Sequence, residues 1–201
     1  MSKTIQYYLA PNSPWTYLGH QRLVDLAKAA GAQVELKPFD LGKVFGVSGG
    51  LPLAKRSPQR QAYRLAELAR WSEFLQVPLK PQPAFFPVPA DAAAKLIIAA
   101  RTSLGGDAAL QVAGAIMRAL WAEDKNISDQ DALAHIATMC GFDGRMLVKS
   151  SQTAGVQEQY DRNTDEAMAA SVFGAPWYVV DGESFWGQDR LDFVERALAK
   201  S

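Results

Sequence analysis

The chain has 201 residues, of which 48% are hydrophobic and 21% are charged, and its 21 basic and 21 acidic side chains give a formal charge of zero. A chain of this length buries roughly 70% of its unfolded surface, which is enough for a core without disulfides. A formal charge of zero removes the electrostatic footprint expected of a nucleic-acid-binding protein, and the hydrophobic content argues against a disordered chain.

The sequence contains one cysteine, Cys140. A single thiol cannot form an intramolecular disulfide or a CxxC redox pair, and no group of residues has the spacing of zinc ligands. The N-terminus has no apolar segment behind Lys3, and the sequence has no run of about 18 apolar residues. We therefore expect a cytoplasmic protein with no metal site, no membrane segment and no thiol–disulfide chemistry of its own.

The N-terminal part of the chain has the pattern of a β-α-β unit. Residues 3–9 alternate in hydrophobicity and predict a strand. Ser13 and Pro14 then form a helix-start signal, a capping side chain followed by proline at the first helical position, and Gly31 ends the helix. Residues 33–37 alternate again. Two strands joined in this way are parallel, with a right-handed crossover.

Glycine and proline recur through residues 41–57, and this segment is predicted to be a long loop that is functional or mobile. Beyond it the chain changes to helical periodicity. Amphipathic patterns occur at residues 65–75, 97–104, 110–120 and 133–140, and a polar, alanine-rich helix is predicted near residues 152–170.

The C-terminal residues predict a β-hairpin followed by a helix. Two short apolar segments flank Asp181 and Gly182, a two-residue hairpin signal, and a helix over residues 189–199 follows with Asp189 placed to cap it. Neither end of the chain can cover a sheet alone, so we expect the two ends to combine. The predicted domains are residues 1–40 with 172–201, and an inserted helical domain at residues 41–171.

Segments at both ends resemble a known family. Residues 8–18 (YLAPNSPWTYL) resemble the entry of the 2-hydroxychromene-2-carboxylate isomerases and the kappa-class glutathione transferases, where serine-proline stands in place of a redox cysteine-proline. Residues 172–176 (VFGAP), 181–183 (DGE) and 185–191 (FWGQDRL) are similar to the C-terminal signature of the isomerases. The order of elements resembles the DsbA-like branch of the thioredoxin fold. The resemblance implies an α/β, thioredoxin-like domain with a helical insertion.

The resemblance also implies an activity. In that family glutathione is the cofactor of an isomerase that interconverts 2-hydroxychromene-2-carboxylate and trans-o-hydroxybenzylidenepyruvate in aromatic, naphthalene-type catabolism. It implies a small aromatic substrate and a homodimer. Two alternatives stay open: a kappa-class-like glutathione transferase, and a non-catalytic thiol-peptide binding protein on a DsbA-like scaffold.

Ser13 is the predicted catalytic residue. A glutathione thiol has a pKa of about 8.5, and only its anion attacks carbon. A hydrogen bond from Ser13 and the positive end of the helix together are strong enough to make the thiolate the major form near pH 7. A serine-hydrolase role fails because His20 lies seven residues along the same helix, roughly 10 Å away.

By resemblance, four C-terminal residues contribute to the glutathione site. Pro176 corresponds to the cis-proline of the thioredoxin fold, and Ala175 offers backbone hydrogen bonds to the cysteinyl part of a thiol peptide. Gln188 and Asp189 match the positions that hold the γ-glutamyl end, where an ammonium group pairs with a carboxylate.

Transfer of the family pattern is less direct in the middle of the chain. By resemblance, Arg60 stands at the position where the family has a lysine, and its guanidinium can bind a carboxylate. Lys55 and Arg56 are alternatives for this role. The asparagine expected in the preceding loop is absent. The following aromatic residues are predicted to wall a flat aromatic substrate or to lie in the core: Phe85, Phe86, Trp15, Trp177 and Trp186.

Overall fold

Four strands form one mixed sheet. The computed structural model describes residues 3–200. The strands are β1 (Thr4–Leu9), β2 (Gln33–Pro38), β3 (Trp177–Val180) and β4 (Glu183–Trp186). Their order is β2-β1-β3-β4, with β1 parallel to β2 and antiparallel to β3, and with β4 antiparallel to β3. Both ends of the chain therefore contribute two strands to one sheet, as the sequence predicts.

Nine α-helices accompany the sheet within residues 3–200. They are α1 (Pro14–Ala29), α2 (Leu41–Ser48), α3 (Pro58–Leu75), α4 (Asp91–Leu104), α5 (Gly106–Trp121), α6 (Gln130–Met139), α7 (Gly144–Ser151), α8 (Ala154–Ala169) and α9 (Leu191–Ala199). Short 3-10 turns at Leu53–Lys55 and Gln188–Arg190 precede α3 and α9. The predictions of α1, α5, α6, α8 and α9 are confirmed within a few residues at each end, and those of α3 and α4 are confirmed at their C-terminal ends, although these helices begin seven and six residues before the predicted segments.

Helix α2 corrects the prediction of a loop over residues 41–57. The Asp40 side chain caps the helix by accepting a hydrogen bond from a first-turn amide, and Gly49 ends the helix in the left-handed region at φ 75°. Gly42 and Gly46, which indicated a loop, lie inside the helix. A local capping signal thus outweighs two residues of low helix propensity.

Helix α7 was not predicted from the sequence. It begins after Asp143, whose side chain accepts a hydrogen bond from the Met146 amide at 3.0 Å. At Gly144 a Cβ would lie 1.9 Å from the carbonyl oxygen of Ala134, so the backbones of α6 and α7 approach where no side chain fits. Gly144 is therefore required by the close packing of α7 on α6.

The hydrophobic core is continuous from the sheet into the central helices. Helices α4 and α5 pack on β2, and α5 also packs on α1. One buried cluster joins Tyr7 and Tyr178 of the sheet to Ile97, Met117 and Trp121 of the helices. The division into a thioredoxin-like domain and a helical insert stays a prediction, because one core serves both.

Side chains from two helices occupy the outer edge of β2. Arg101 Nη1 of α4 donates a hydrogen bond to the Leu36 carbonyl at 2.8 Å, and Asn163 Nδ2 of α8 donates one to the Pro38 carbonyl at 2.9 Å. These carbonyls are two residues apart, so they lie on the same edge of the strand.

Candidate functional site

Ser13 lies where β1 leads into α1. Its backbone is extended, with φ −85° and ψ 125°, and its Oγ accepts a hydrogen bond from the Thr16 amide at 3.3 Å. Pro14 has no amide hydrogen, and the Tyr17 amide donates to the Ser13 carbonyl at 3.1 Å. Within residues 3–200 this leaves the Trp15 amide as a first-turn donor without a partner. The start of α1 therefore combines a serine hydroxyl with a free backbone donor.

The segment before β3 brings a second backbone to Ser13. Ser13 Oγ donates a hydrogen bond to the Ala175 carbonyl at 3.3 Å, although 162 positions separate the two residues. The Ala175–Pro176 peptide bond is cis, and the Gly187 amide donates to the Pro176 carbonyl at 3.0 Å. Ser13 and Ala175 are both buried. Three of the predicted site residues therefore lie together.

Gln188 and Asp189 lie on the 3-10 turn before α9, beside α1. Gln188 is buried, and its Oε1 accepts a hydrogen bond from Arg22 Nη1 at 3.0 Å. A Cβ at Gly19 would lie 2.7 Å from Gln188 Cβ, so glycine permits this approach. Asp189 is exposed, and its Oδ2 lies 3.6 Å from Arg190 Nη2. The prediction that Asp189 caps the last helix is wrong, because α9 starts after Arg190 without a side-chain cap.

Arg60 lies on the exposed first turn of α3. Its backbone amide donates to Ser57 Oγ at 3.4 Å, and its side chain makes no hydrogen bond or ion pair within the described part of the chain. The alternative Arg56 is engaged elsewhere, since its Nε donates to the Leu51 carbonyl at 2.8 Å. No contact joins Arg60 to Ser13, so its role in the site stays a prediction.

The aromatic residues divide into two clusters. Phe86 packs on Trp121 with ring centroids 4.8 Å apart. Phe173 contacts both Trp177 and Trp186, at 4.8 Å and 4.7 Å between centroids. Trp177 is buried, whereas Trp186 is about half exposed. The two clusters belong to different segments, and a role of these rings as a wall for an aromatic substrate stays a prediction.

Two cavities lie near these elements. One, of about 420 Å³, is lined by residues 84–89 together with Asn126 and Ser128. Asn12, directly before Ser13, donates from Nδ2 to the Val88 carbonyl at 2.9 Å, which attaches this loop to the start of α1. A groove of about 1240 Å³ between α1 and α5 includes none of the predicted site residues in its lining.

His20 is buried in the core, and both of its ring nitrogens have hydrogen-bond partners. Its Nε2 lies 2.9 Å from the Leu110 carbonyl oxygen and its Nδ1 lies 3.3 Å from the Tyr7 hydroxyl. A carbonyl only accepts, so Nε2 carries the proton and Nδ1 accepts from Tyr7. Burial lowers the pKa of His20 to about 4. The imidazole is neutral near pH 7, and neither nitrogen is free to act on Ser13.

Within residues 3–200, no three or more His, Cys, Asp or Glu side chains group in a way that could hold a metal ion. Cys140 is partly buried just after α6, where burial raises the pKa of its thiol. None of the described helices combines the length and the hydropathy that a membrane crossing requires.

Residues 4–199 match the family model described as the DSBA-like thioredoxin domain. The chain is 32% identical to 2-hydroxychromene-2-carboxylate isomerase from Sphingobium xenophagum over 199 residues, which cover 98% of this chain and 99% of that protein. The chain belongs to the 2-hydroxychromene-2-carboxylate isomerase family. A solved structure of a 2-hydroxychromene-2-carboxylate isomerase superposes with a TM-score of 0.83 at 25% identity, covering 97% of this chain and 94% of the other.

A second group of relatives also aligns with nearly the full length of this chain. The chain is 25% identical to glutathione S-transferase kappa 1 from Caenorhabditis elegans, with 96% of this chain and 90% of that protein covered. Both groups of relatives are enzymes, and this chain is an enzyme of the isomerase family.

Two arginines that contact predicted site residues of this family member were not identified from the sequence. Arg22 holds Gln188, and Arg64 lies over the rings of Phe86 and Trp121, with its guanidinium carbon 5.2 Å and 5.8 Å from the ring centroids. An arginine on an amphipathic helix is normally solvated, so neither carries a local signal. Only the fold brings their partners to them.

Proposed function

We propose that this protein is a glutathione-dependent isomerase that interconverts 2-hydroxychromene-2-carboxylate and trans-o-hydroxybenzylidenepyruvate in aromatic catabolism. The observation that carries the proposal is the contact of Ser13 Oγ with the Ala175 carbonyl at the start of α1. It occurs in a chain whose relative of that name is 32% identical over its whole length.

The residues around Ser13 fit a bound thiol peptide. The Ala175 amide has no partner in the described part of the chain, and its carbonyl is held only by the Ser13 hydroxyl, so this backbone can pair with an extended peptide. The free Trp15 amide and the positive end of α1 favour an anion at the same place. Glutathione, when bound, supplies a thiolate nucleophile that adds to a conjugated carbon and leaves after rotation about the former double bond.

Each site residue then has a role in binding or in holding charge. The Ser13 hydroxyl rotates from the Ala175 carbonyl to donate a hydrogen bond to the thiolate, and it forms no covalent bond. Gln188 and Asp189 hold the γ-glutamyl end, where the exposed Asp189 carboxylate accepts from an ammonium group. Arg60 binds a carboxylate of glutathione or of the substrate.

The Ser13→Ala variant tests this proposal. Turnover should fall by tens to thousands of times, because one anion-stabilising donor is lost. The measurement is the ultraviolet spectrum of the hydroxychromene carboxylate with and without glutathione.

The matched control is Asp143→Ala. Asp143 also caps a helix, by accepting a hydrogen bond from the Met146 amide at 3.0 Å. The two variants lose the same kind of cap, at a cost of about 1 kcal/mol, so Asp143→Ala should keep wild-type turnover. An unchanged rate in Ser13→Ala would mean that Ser13 only caps α1.

The kappa-class relatives favour a second candidate function, glutathione transfer. Titration of free thiol during turnover separates the two reactions, because transfer consumes one glutathione for each product and isomerisation consumes none. Binding of glutathione without turnover of either substrate class would instead indicate the non-catalytic thiol-peptide binding protein.

The proposal includes a homodimer in the cytoplasm. A single cysteine fits a reducing compartment, and the resemblance to the isomerases implies the dimer. Light scattering of the purified protein should give about twice the mass of one chain.

A further inference from the structure

Arg64, on α3, lies against two aromatic rings. Its guanidinium carbon is 5.2 Å from the centroid of Phe86 and 5.8 Å from that of Trp121, and the two ring centroids are 4.8 Å apart. Ring faces attract a guanidinium and replace the water around it. We call Arg64, Phe86 and Trp121 the Arg64 enclosure.

The Arg64 enclosure lacks a hydrogen-bond acceptor. Arg64 Nη2 and Trp121 Nε1 are both buried, and neither has a hydrogen-bond partner within residues 3–200. The Trp121 side chain is fully buried, with 0% exposure. Because buried donors in folded proteins are nearly always paired, two unpaired donors in one cluster indicate a ligand that brings the acceptor.

No acidic side chain compensates the charge of Arg64 in the described structure. Glu67 is one helical turn away, but it pairs with Arg70 at 2.5 Å. The neighbouring charge is another cation, since burial and the charge of Arg56 together lower the pKa of Arg64 to about 10. Arg64 still carries its charge at neutral pH. The missing acceptor is therefore expected to be an anion.

The Arg64 enclosure is connected to the start of α1. Phe86 lies two residues before Val88, whose carbonyl accepts from Asn12 Nδ2 at 2.9 Å. Asn12 directly precedes Ser13. The cavity of about 420 Å³ is lined by residues 84–89, Asn126 and Ser128, so Phe86 belongs both to its wall and to the Arg64 enclosure. A ligand that extends from Ser13 along this loop would approach the Arg64 enclosure through Phe86.

We propose that Arg64 binds a carboxylate of the ligand in this site and thereby selects acids over their neutral analogues. A carboxylate is planar and anionic and only accepts hydrogen bonds, which is what a stacked guanidinium recognises. The inference rests on the proposed function, which offers two sources of this group: the carboxylate of the aromatic substrate and the glycine carboxylate of glutathione.

Two pairs of ligands test the inference by calorimetric titration. The first pair is trans-cinnamate and trans-cinnamamide, and the second is glutathione and its glycine ethyl ester. The wild-type protein should bind the acid of at least one pair about tenfold or more tightly than the neutral partner, as a hydrogen bond to a charged group provides. The pair whose preference is lost in Arg64→Met identifies the carboxylate that Arg64 binds.

Arg64→Met should bind the acid and the neutral partner of that pair equally, whereas a preference that Arg60 provides for the other carboxylate should remain. The matched control is Arg70→Met, which removes an arginine of the same helix that also lies over a ring, 6.0 Å from the Tyr63 centroid, but is paired with Glu67. It should keep the wild-type preference. Arg64→Gln carries the same expectation as Arg64→Met and replaces it if the methionine variant does not fold.

Equal binding of acid and neutral partner by the wild-type protein in both pairs overturns the inference, and so does an acid preference that Arg64→Met leaves unchanged in both pairs. Failure of the proposed function is a separate result. A wild-type protein that shows the Arg64-dependent preference but no isomerase turnover contradicts only the proposed function. Turnover with unchanged KM and kcat in Arg64→Met, together with an unchanged acid preference, contradicts only this inference.

Discussion

Gly19 and Gln188 approach each other without room for another side-chain atom. A Cβ at Gly19 would lie 2.7 Å from Gln188 Cβ and 3.2 Å from the Tyr178 hydroxyl. Arg22 binds the same glutamine, donating to its carbonyl oxygen at 3.2 Å and to its Oε1 at 3.0 Å. The turn that carries Gln188 is thus held against α1, the helix that begins beside Ser13.

Gly19→Ala should disturb this contact. The free energy of unfolding should fall by about 1–3 kcal/mol, because the added methyl group overpacks a filled site, and KM for glutathione should rise. Urea unfolding and steady-state kinetics measure the two effects. Gly155→Ala is the control, since no atom lies within 4 Å of a Cβ at Gly155 in α8. A Gly19→Ala protein as stable as Gly155→Ala would contradict the packing argument.

At the level of elements, local signals predict most of the structure. Strand β1 and helix α1 follow from alternation and from the Ser13 cap, which act over a few residues. The sequence predicts a loop in place of helix α2 because Gly42 and Gly46 lower helix propensity. The Asp40 cap and the burial of Val44 stabilise the helix in spite of these glycines. A contact between residues distant in sequence carries no such signal.

The candidate site shows the same limit. Ser13 and the Ala175–Pro176 segment are found through motifs at the two ends of the chain. The contact between Arg22 and Gln188 spans 166 positions, and the stacking of Arg64 depends on how α3 packs beside the loop of residues 84–89. Neither position has a pattern that sequence reasoning can use.

Two glycines of α2 should respond to alanine with opposite signs. Gly46 lies inside the helix with open space around a Cβ, so Gly46→Ala should raise the free energy of unfolding by about 1 kcal/mol. Gly49 ends the helix at φ 75°, where alanine is strained, so Gly49→Ala should lower it by about 1 kcal/mol. Thermal or urea unfolding compares the two. Changes of the same sign would argue against α2 as a helix.

On the scale of the whole molecule, His20 lies where the sheet and two helices meet. It belongs to α1 and binds Tyr7 of the central strand and the Leu110 carbonyl of α5. Protonation of Nδ1 would remove the acceptor that Tyr7 uses. The neutral form of His20 therefore stabilises the junction of the sheet with the helices.

The free energy of unfolding should decrease as the pH is lowered from about 6.5 to about 4. The pKa of His20 is about 4 in the folded protein, against about 6.5 in an unfolded chain. Because the unfolded state takes up the proton first, this contribution is complete above pH 6.5 and is lost progressively down to about pH 4, about 3 kcal/mol in all. The free energy of unfolding at pH 7, 6 and 5 measures it.

Two histidine variants test whether His20 causes this pH dependence. In His20→Gln the free energy of unfolding should change less between pH 6.5 and 5, where few carboxyl groups titrate. In His135→Gln it should not, because His135 is exposed on α6 and is the second of the two histidines in the chain. A wild-type slope in His20→Gln would assign the pH dependence to other groups.

The outer edge of β2 has a consequence for self-association. Arg101 and Asn163 already donate hydrogen bonds to the β2 carbonyls that an incoming strand would use. Strand β4, at the other edge of the sheet, has only four residues, and its Glu183 is exposed. Short, charged or occupied edges oppose the addition of further strands. Copies of this chain are therefore expected to associate through helical and loop surfaces, and prolonged incubation of the folded protein should not yield cross-β filaments.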